Sequence, residues 1–154
     1  MECQLSDSNG TYFFIILTLI LCNSAVMLSR AGRFTITSGT CTADLLDTSS
    51  QAYQTLADDV TVSVRAQCQA TSSIQSNSIA CDVTNVVFTC GSINVNYELS
   101  LMVSPGLEVS ADQYFDDVSS TLMSAADSGT LLSSENDVDS TSFTLGTSGK
   151  NCLN

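Results

Sequence analysis

Ile93-Asn94-Val95-Asn96-Tyr97-Glu98-Leu99-Ser100-Leu101-Met102-Val103 alternates apolar and polar residues along its length. Every odd position is apolar, and among the even ones only Met102 breaks the polar set. Successive side chains of a strand point to opposite faces, so this segment reads as a strand with one buried and one wet face. Just upstream, Val83, Val86, Val87 and Phe88 make residues 81–90 an apolar, β-branched run, which reads as a second strand. Gly91-Ser92 interrupts the two runs, so together they form a hairpin turning near Gly91.

Before the hairpin, residues 33–40 read as a short strand in which Phe34 and Ile36 alternate with Arg33, Thr35 and Thr37. Residues 42–67 read as a helix, because Leu46, Tyr53, Leu56, Val60 and Val64 recur on one face. The Ser-, Gln-, Thr- and Asn-rich stretch 69–79 reads as a loop. After the hairpin, Ser104-Pro105-Gly106 ends the strand. Ser110 with Gln113 has the spacing of a capping box, and Asp112, Asp116 and Asp117 suit the start of a second helix. Tyr114 or Phe115, Val118, Leu122 and Ala125 or Ala126 carry its apolar face, and Gly129 stops it. Phe143 and Leu145 mark a last strand over 141–146. The order strand, helix, strand, strand, helix, strand predicts an α+β fold of the ferredoxin-like βαββαβ type: a four-stranded antiparallel sheet with two helices on one face.

The charge is lopsided, with sixteen acids against four bases and a net of −12. No basic stripe can form, so nucleic acid is not an expected partner. The chain has no His. A Ser-His-Asp or Cys-His catalytic site therefore cannot be assembled within it. No phosphate-binding loop or clustered metal ligands occur either, so no cofactor is expected, and an enzyme acting on an external substrate is not expected.

The N-terminus carries one apolar run, from Tyr12 to Cys22, followed by Asn23-Ser24 and then Ala25-Val26-Met27-Leu28. Its length suits the hydrophobic region of a signal peptide, and Ser24, Ala25 and Ala31 are small residues at which cleavage could fall. Counted through Leu28, the run reaches the lower edge for a membrane span, so a retained anchor is the alternative. Residues 1–31 are read as signal peptide or anchor, 33–146 as the folded domain and 147–154 as a tail. Either reading of the N-terminus sends the domain through the secretory pathway, to an extracellular destination; contact with a membrane would run only through an uncleaved N-terminal segment.

Seven cysteines are present; Cys3 and Cys22 lie in or before the targeting segment. In an oxidising compartment well-spaced cysteines pair, and the absence of CxxC disfavours zinc or thioredoxin chemistry. On the inferred topology Cys68 and Cys81 sit at one end of the sheet and Cys41 and Cys90 at the other. The expected bonds are Cys68–Cys81 and Cys41–Cys90, leaving Cys152 for a disulfide-linked dimer. Four cysteines allow three pairings, and a buried cysteine also serves as a plain apolar residue.

Three segments resemble a SEA domain, the extracellular module of membrane mucins, some receptors and membrane-anchored serine proteases. They are Leu45 to Leu56, the hairpin from Phe88 to Tyr97, and Leu122 to Leu131 with Ala125-Ala126-Asp127-Ser128-Gly129. In many members of that family the hairpin breaks itself between Gly and Ser, in a pattern of Gly-Ser followed by three aliphatic residues. Here Gly91, Ser92, Ile93 and Val95 match, and Asn94 departs. The resemblance implies that Ser92 attacks the Gly91 carbonyl, with no histidine required, and that the sheet keeps the two pieces together. A bond at Cys90 would constrain the tip beside the reacting peptide or tether the pieces afterwards. Gly-Ser in a hairpin is also ordinary turn chemistry. The resemblance further implies a structural or interaction role among extracellular proteins or glycan-rich matrix. The alternative is a non-cleaving, disulfide-stabilised secreted interaction protein.

Three weaker motifs complete the reading. Asn9-Gly10-Thr11 is an N-glycosylation sequon ahead of the apolar run. Asp137-Val138-Asp139 lacks the Gly and Glu of an EF-hand loop. The pairs Asp58-Asp59 and Asp116-Asp117 read as helix-surface charges.

Overall fold

The computed structural model describes residues 25–132 and 136–146. Strand β1 spans Val26–Ile36, helix α1 Gln51–Ala70, the short helix α2 Ser72–Ser76, β2 Ala80–Thr89 and β3 Ile93–Val103. Helix α3 follows over Ala111–Asp127 and β4 over Val138–Leu145. Two short 3-10 turns, Ala43–Leu46 and Glu108–Ser110, precede α1 and α3. The sheet order is β2-β3-β1-β4, with every neighbouring pair antiparallel. Strand β3 thus slots between β1 and β2, and β1 between β3 and β4. The α+β, ferredoxin-like expectation holds, with α2 as an additional element.

The alternating segment is a strand over the residues expected. Ile93, Val95, Tyr97, Leu99, Leu101 and Val103 are all buried. They pack with Phe34 and Ile36 of β1, Val60 and Val64 of α1, and Phe115, Val118 and Leu122 of α3 in one core. Ring contacts tie its layers: Phe34 stacks on Phe143 at 5.0 Å between centroids, and Tyr53 meets Phe88 edge-on at 5.1 Å.

Strand β1 departs from the expected 33–40, since it begins at Val26 and pairs with β3 from Val26↔Val103 to Ile36↔Ile93. The residues 26–31 therefore belong to the sheet, not to a segment that can be discarded. Its core-facing positions are Leu28, Arg30, Gly32, Phe34 and Ile36, and the middle of that set looks polar or empty in sequence. Arg30 is nonetheless buried. Its guanidinium is ion-paired with Asp112, lies 3.9 Å from Asp116 and sits 4.4 Å over the Phe115 ring. Pairing and stacking offset the desolvation that excludes most charges from a core. At Gly32 the missing side chain is replaced by the Tyr97 ring, which lies where a Cβ would be.

Helix α1 begins at Gln51 rather than at 42. Asp47 accepts hydrogen bonds from the Ser49 amide at 2.9 Å and its hydroxyl at 2.7 Å, a local turn that competes with helix. Ser50 then caps the helix by accepting from the Tyr53 amide. The shift exposes Leu46 and buries Leu45 instead. The stretch 69–79 is not a loop throughout: α1 runs to Ala70, and α2 buries Ile74. The capping box at Ser110 is not formed, because the 3-10 turn Glu108–Ser110 leads straight into α3 and the Ser110 side chain caps nothing. Gly129 does end α3, at φ +66°, and its amide donates to the Ala126 carbonyl. Strand β4 starts earlier than expected, at Val138, and its pairing with β1 shifts register between Arg33 and Thr35.

Candidate functional site

The tip of the β2–β3 hairpin is Cys90-Gly91-Ser92, all three exposed. It is entered from the Thr89↔Asn94 rung and left at Ile93, which pairs with Ile36 of β1. Gly91 has φ +129°, and a Cβ there would meet nothing within 4 Å. Space does not select glycine at this position; the backbone angle does.

Both flanks of the tip are fixed. On the entering side Cys90 is bonded to Cys41, with Cα atoms 5.5 Å apart. On the leaving side Ile93 is buried at 5% exposure. The next residue, Asn94, stands on the open face of the sheet. Its Oδ1 accepts from Arg33 Nη2 at 3.0 Å and from the Thr35 hydroxyl at 3.1 Å, and its Nδ2 donates to the Ser92 carbonyl at 3.1 Å. Gly91 and Ser92 are the two residues left between these anchors. The Ser92 hydroxyl makes no hydrogen bond among the described residues, so it is free to rotate.

The second disulfide, Cys68–Cys81, joins the last turn of α1 to the start of β2. Its sulfurs are in the core, with Cys68 at 0% and Cys81 at 6% exposure. The expected pairings are therefore the ones present. Their positions settle one alternative: residues 41, 68, 81 and 90 all precede the Gly91–Ser92 bond, so neither disulfide crosses it. Cys90 is an anchor of the tip and not a tether across that bond. Cys3, Cys22, Cys152 and the Asn9 sequon lie outside the described residues.

Other candidate groups resolve into structure. The Asp139 carboxylate accepts from the amide and hydroxyl of Thr141, and the Asp137 carbonyl from the Thr37 amide. Asp116 faces Arg30, and Asp59 accepts from Ser63 one turn on. Among the described residues no cluster of His, Cys, Asp or Glu could hold a metal ion, and no helix is long and apolar enough to cross a membrane. A shallow hollow of about 450 Å³ between α1 and α3 is lined by Gln67, Ser120, Thr121, Ser124, Ser128 and Thr130. Ser120, Thr121 and Ser128 turn their hydroxyls back to carbonyls of α3, and no charged side chain lines the hollow.

Sequence reasoning paired the four bonded cysteines and put Gly91 and Ser92 at the hairpin turn, where they lie. It treated Asn94 only as a departure from a pattern, gave Arg30 no place in the core, and set Tyr97 on the buried face of β3 without foreseeing that its ring fills the space at Gly32. The signal for Asn94 was its place on the wet face directly beside the turn.

No family model, curated protein or solved structure matches this chain.

Proposed function

We propose that the chain is an extracellular, SEA-like structural or interaction module whose β2–β3 hairpin cleaves itself between Gly91 and Ser92. The observation that carries the proposal is the tip itself: a two-residue span with Gly91 at φ +129°, held between a disulfide and a hydrogen-bonded asparagine, with an unengaged serine hydroxyl. Fixed flanks allow folding to impose distortion on the peptide between them, of the order of ~1–3 kcal/mol at such sites. The nucleophile is adjacent to its target, so no diffusional encounter is needed.

The Ser92 oxygen adds to the Gly91 carbonyl carbon, and the Gly91–Ser92 carbon–nitrogen bond breaks. The hydroxyl proton passes to the departing nitrogen, leaving an ester and a free amine. Water then hydrolyses the ester to a Gly91 carboxylic acid and restores the Ser92 hydroxyl.

Cleavage would not scatter the fold. The second piece begins at Ser92 and contributes β3, the strand paired on one side with β1 and on the other with β2. Its six inward side chains, at ~1.5–3 kcal/mol each for full burial, hold it by about 9–18 kcal/mol before entropy is counted. Release would then require force or unfolding, which suits a breakpoint at a cell surface.

Intact mass under reducing, denaturing conditions, on protein made through a secretory pathway and beside Ser92→Ala, tests the reading. Two fragments meeting at Gly91–Ser92, absent in the variant, are expected. A single intact chain refutes self-cleavage and leaves a non-cleaving, disulfide-stabilised interaction protein.

A further inference from the structure

We infer that Asn94 is a positioning residue for the Gly91–Ser92 peptide, acting through its hydrogen bond to the Ser92 carbonyl; the inference deepens the reaction proposed above. Asn94 stands where the family pattern would place an aliphatic side chain, and its amide is engaged at both the oxygen and the nitrogen. Arg33 can only donate, so the atom facing it must be Oδ1, which leaves Nδ2 to face Ser92. The amide orientation thus follows from its partners.

The two halves of this side chain do different things. Oδ1 is gripped by Arg33 and Thr35, both on β1, the strand beside β3. Nδ2 passes that grip to the peptide that follows the reacting bond. Holding the Ser92 carbonyl fixes the orientation of the Ser92–Ile93 peptide plane. With Cys90 fixed by Cys41, the remaining torsions are those of Gly91 and the φ and χ1 of Ser92. These are the angles that carry the hydroxyl onto the Gly91 carbonyl. An aliphatic residue at 94 would leave the Ser92 carbonyl to water, and the tip would sample orientations from which attack fails.

Asn94→Asp separates positioning from cross-linking, because it is nearly isosteric. It keeps acceptors for Arg33 and Thr35 and loses the donor to Ser92. Two readouts are needed. The first is the rate of fragment appearance by intact mass in otherwise native protein. The second is backbone order at residues 91 and 92 from 15N relaxation, in a Ser92→Ala background that cannot cleave but retains the carbonyl.

Asn94→Asp and Asn94→Ala are both expected to slow cleavage at least tenfold and to lower order at 91–92, while the urea midpoint of Asn94→Asp stays near wild type. Wild-type cleavage and unchanged order in Asn94→Asp would overturn the inference and reduce Asn94 to a link between β1 and β3. A parent chain that does not cleave refutes the proposed reaction, not this inference, which the relaxation arm then decides by itself: loss of order in Asn94→Asp supports it and unchanged order overturns it.

Discussion

Gly32→Ala is the substitution whose cost the structure allows to be worked through. Gly32 has no positive φ, so alanine meets no backbone penalty. A Cβ there would lie 2.2 Å from Cζ of Tyr97, 2.4 Å from Cε2 and 2.6 Å from Oη, against ~3.5–4.0 Å for carbon–carbon contact. The ring cannot retreat inward, because Tyr97 is 3% exposed and lies 5.9 Å from Phe34, which is itself stacked on Phe143. It must swing out, forfeiting ~1.5–3 kcal/mol of burial and ~0.5–1.5 kcal/mol of ring pairing. Two effects oppose this. The Tyr97 hydroxyl is buried with no partner among the described residues, so exposing it recovers ~1–3 kcal/mol, and alanine is worth ~0.5–1 kcal/mol over glycine in a strand. The balance is a net loss of about 0.5 kcal/mol, below the usual overpacking range because the freed hydroxyl and the alanine offset most of the loss. Urea unfolding should show a midpoint lowered by about 0.25 M for a slope of ~2 kcal/mol/M. In a Tyr97→Leu background, whose side chain does not extend to the clashing atoms, Gly32→Ala should be neutral or stabilising. Equal cost in both backgrounds would refute the claim that the ring selects the glycine.

Tyr97→Phe should raise stability by about 1 kcal/mol, since it removes a buried hydroxyl that finds no acceptor; a loss of stability would mean that the hydroxyl is bonded in solution. Burial raises the Tyr97 pKa above its ordinary value of 10.0, so the phenol's contribution is complete below that pH. It is lost above it at ~1.4 kcal/mol per pH unit, a slope that Tyr97→Phe should remove from pH-dependent unfolding curves. Deleting residues 1–25 should leave a folded domain by amide exchange and circular dichroism. Deleting 1–31 should not, because it strips Leu28 and Arg30 from β1. Replacing Cys68 and Cys81 together by alanine closes no loop over a separation of 13 and should cost ~3 kcal/mol; opening Cys41–Cys90, at a separation of 49, should cost ~4 kcal/mol by thermal unfolding.

How much of this was legible in the sequence follows from where the pattern is local. Strand β3 was readable to the residue because a half-buried central strand imposes strict alternation, and its six core positions obey it. The cysteine pairing was readable because the order of elements places each pair at one end of the sheet. Strand β1 was misplaced because its inward positions at 30 and 32 are an arginine and a glycine. Their compatibility with a core depends on Asp112, Phe115 and Tyr97, residues 65 or more positions away in the chain. The start of α1 was missed for the opposite reason, a purely local one: Asp47 and Ser49 form a turn that the apolar spacing of Leu46 and Tyr53 conceals. The capping-box pattern at Ser110 and Gln113 was overridden by the preceding 3-10 turn, which leaves the Ser110 backbone at φ −100°, ψ 13° instead of the extended conformation a cap adopts.

The two disulfides and the β3 strand divide the work of holding this fold, and the division bears on what cleavage would do. Both covalent links lie within residues 41–90 and strengthen the part that carries β1, α1 and β2. Among the described residues no disulfide reaches β3, α3 or β4, which are held there by pairing and packing. A cut after Gly91 would therefore leave a stapled first piece and an unstapled second one. Thiol reductants would weaken the first piece without freeing the second directly, whereas denaturant or force along β3 would separate the two with both bonds intact. That asymmetry is a physical reason to look for release in mechanical load, acting on a strand whose loss opens the sheet between β1 and β2.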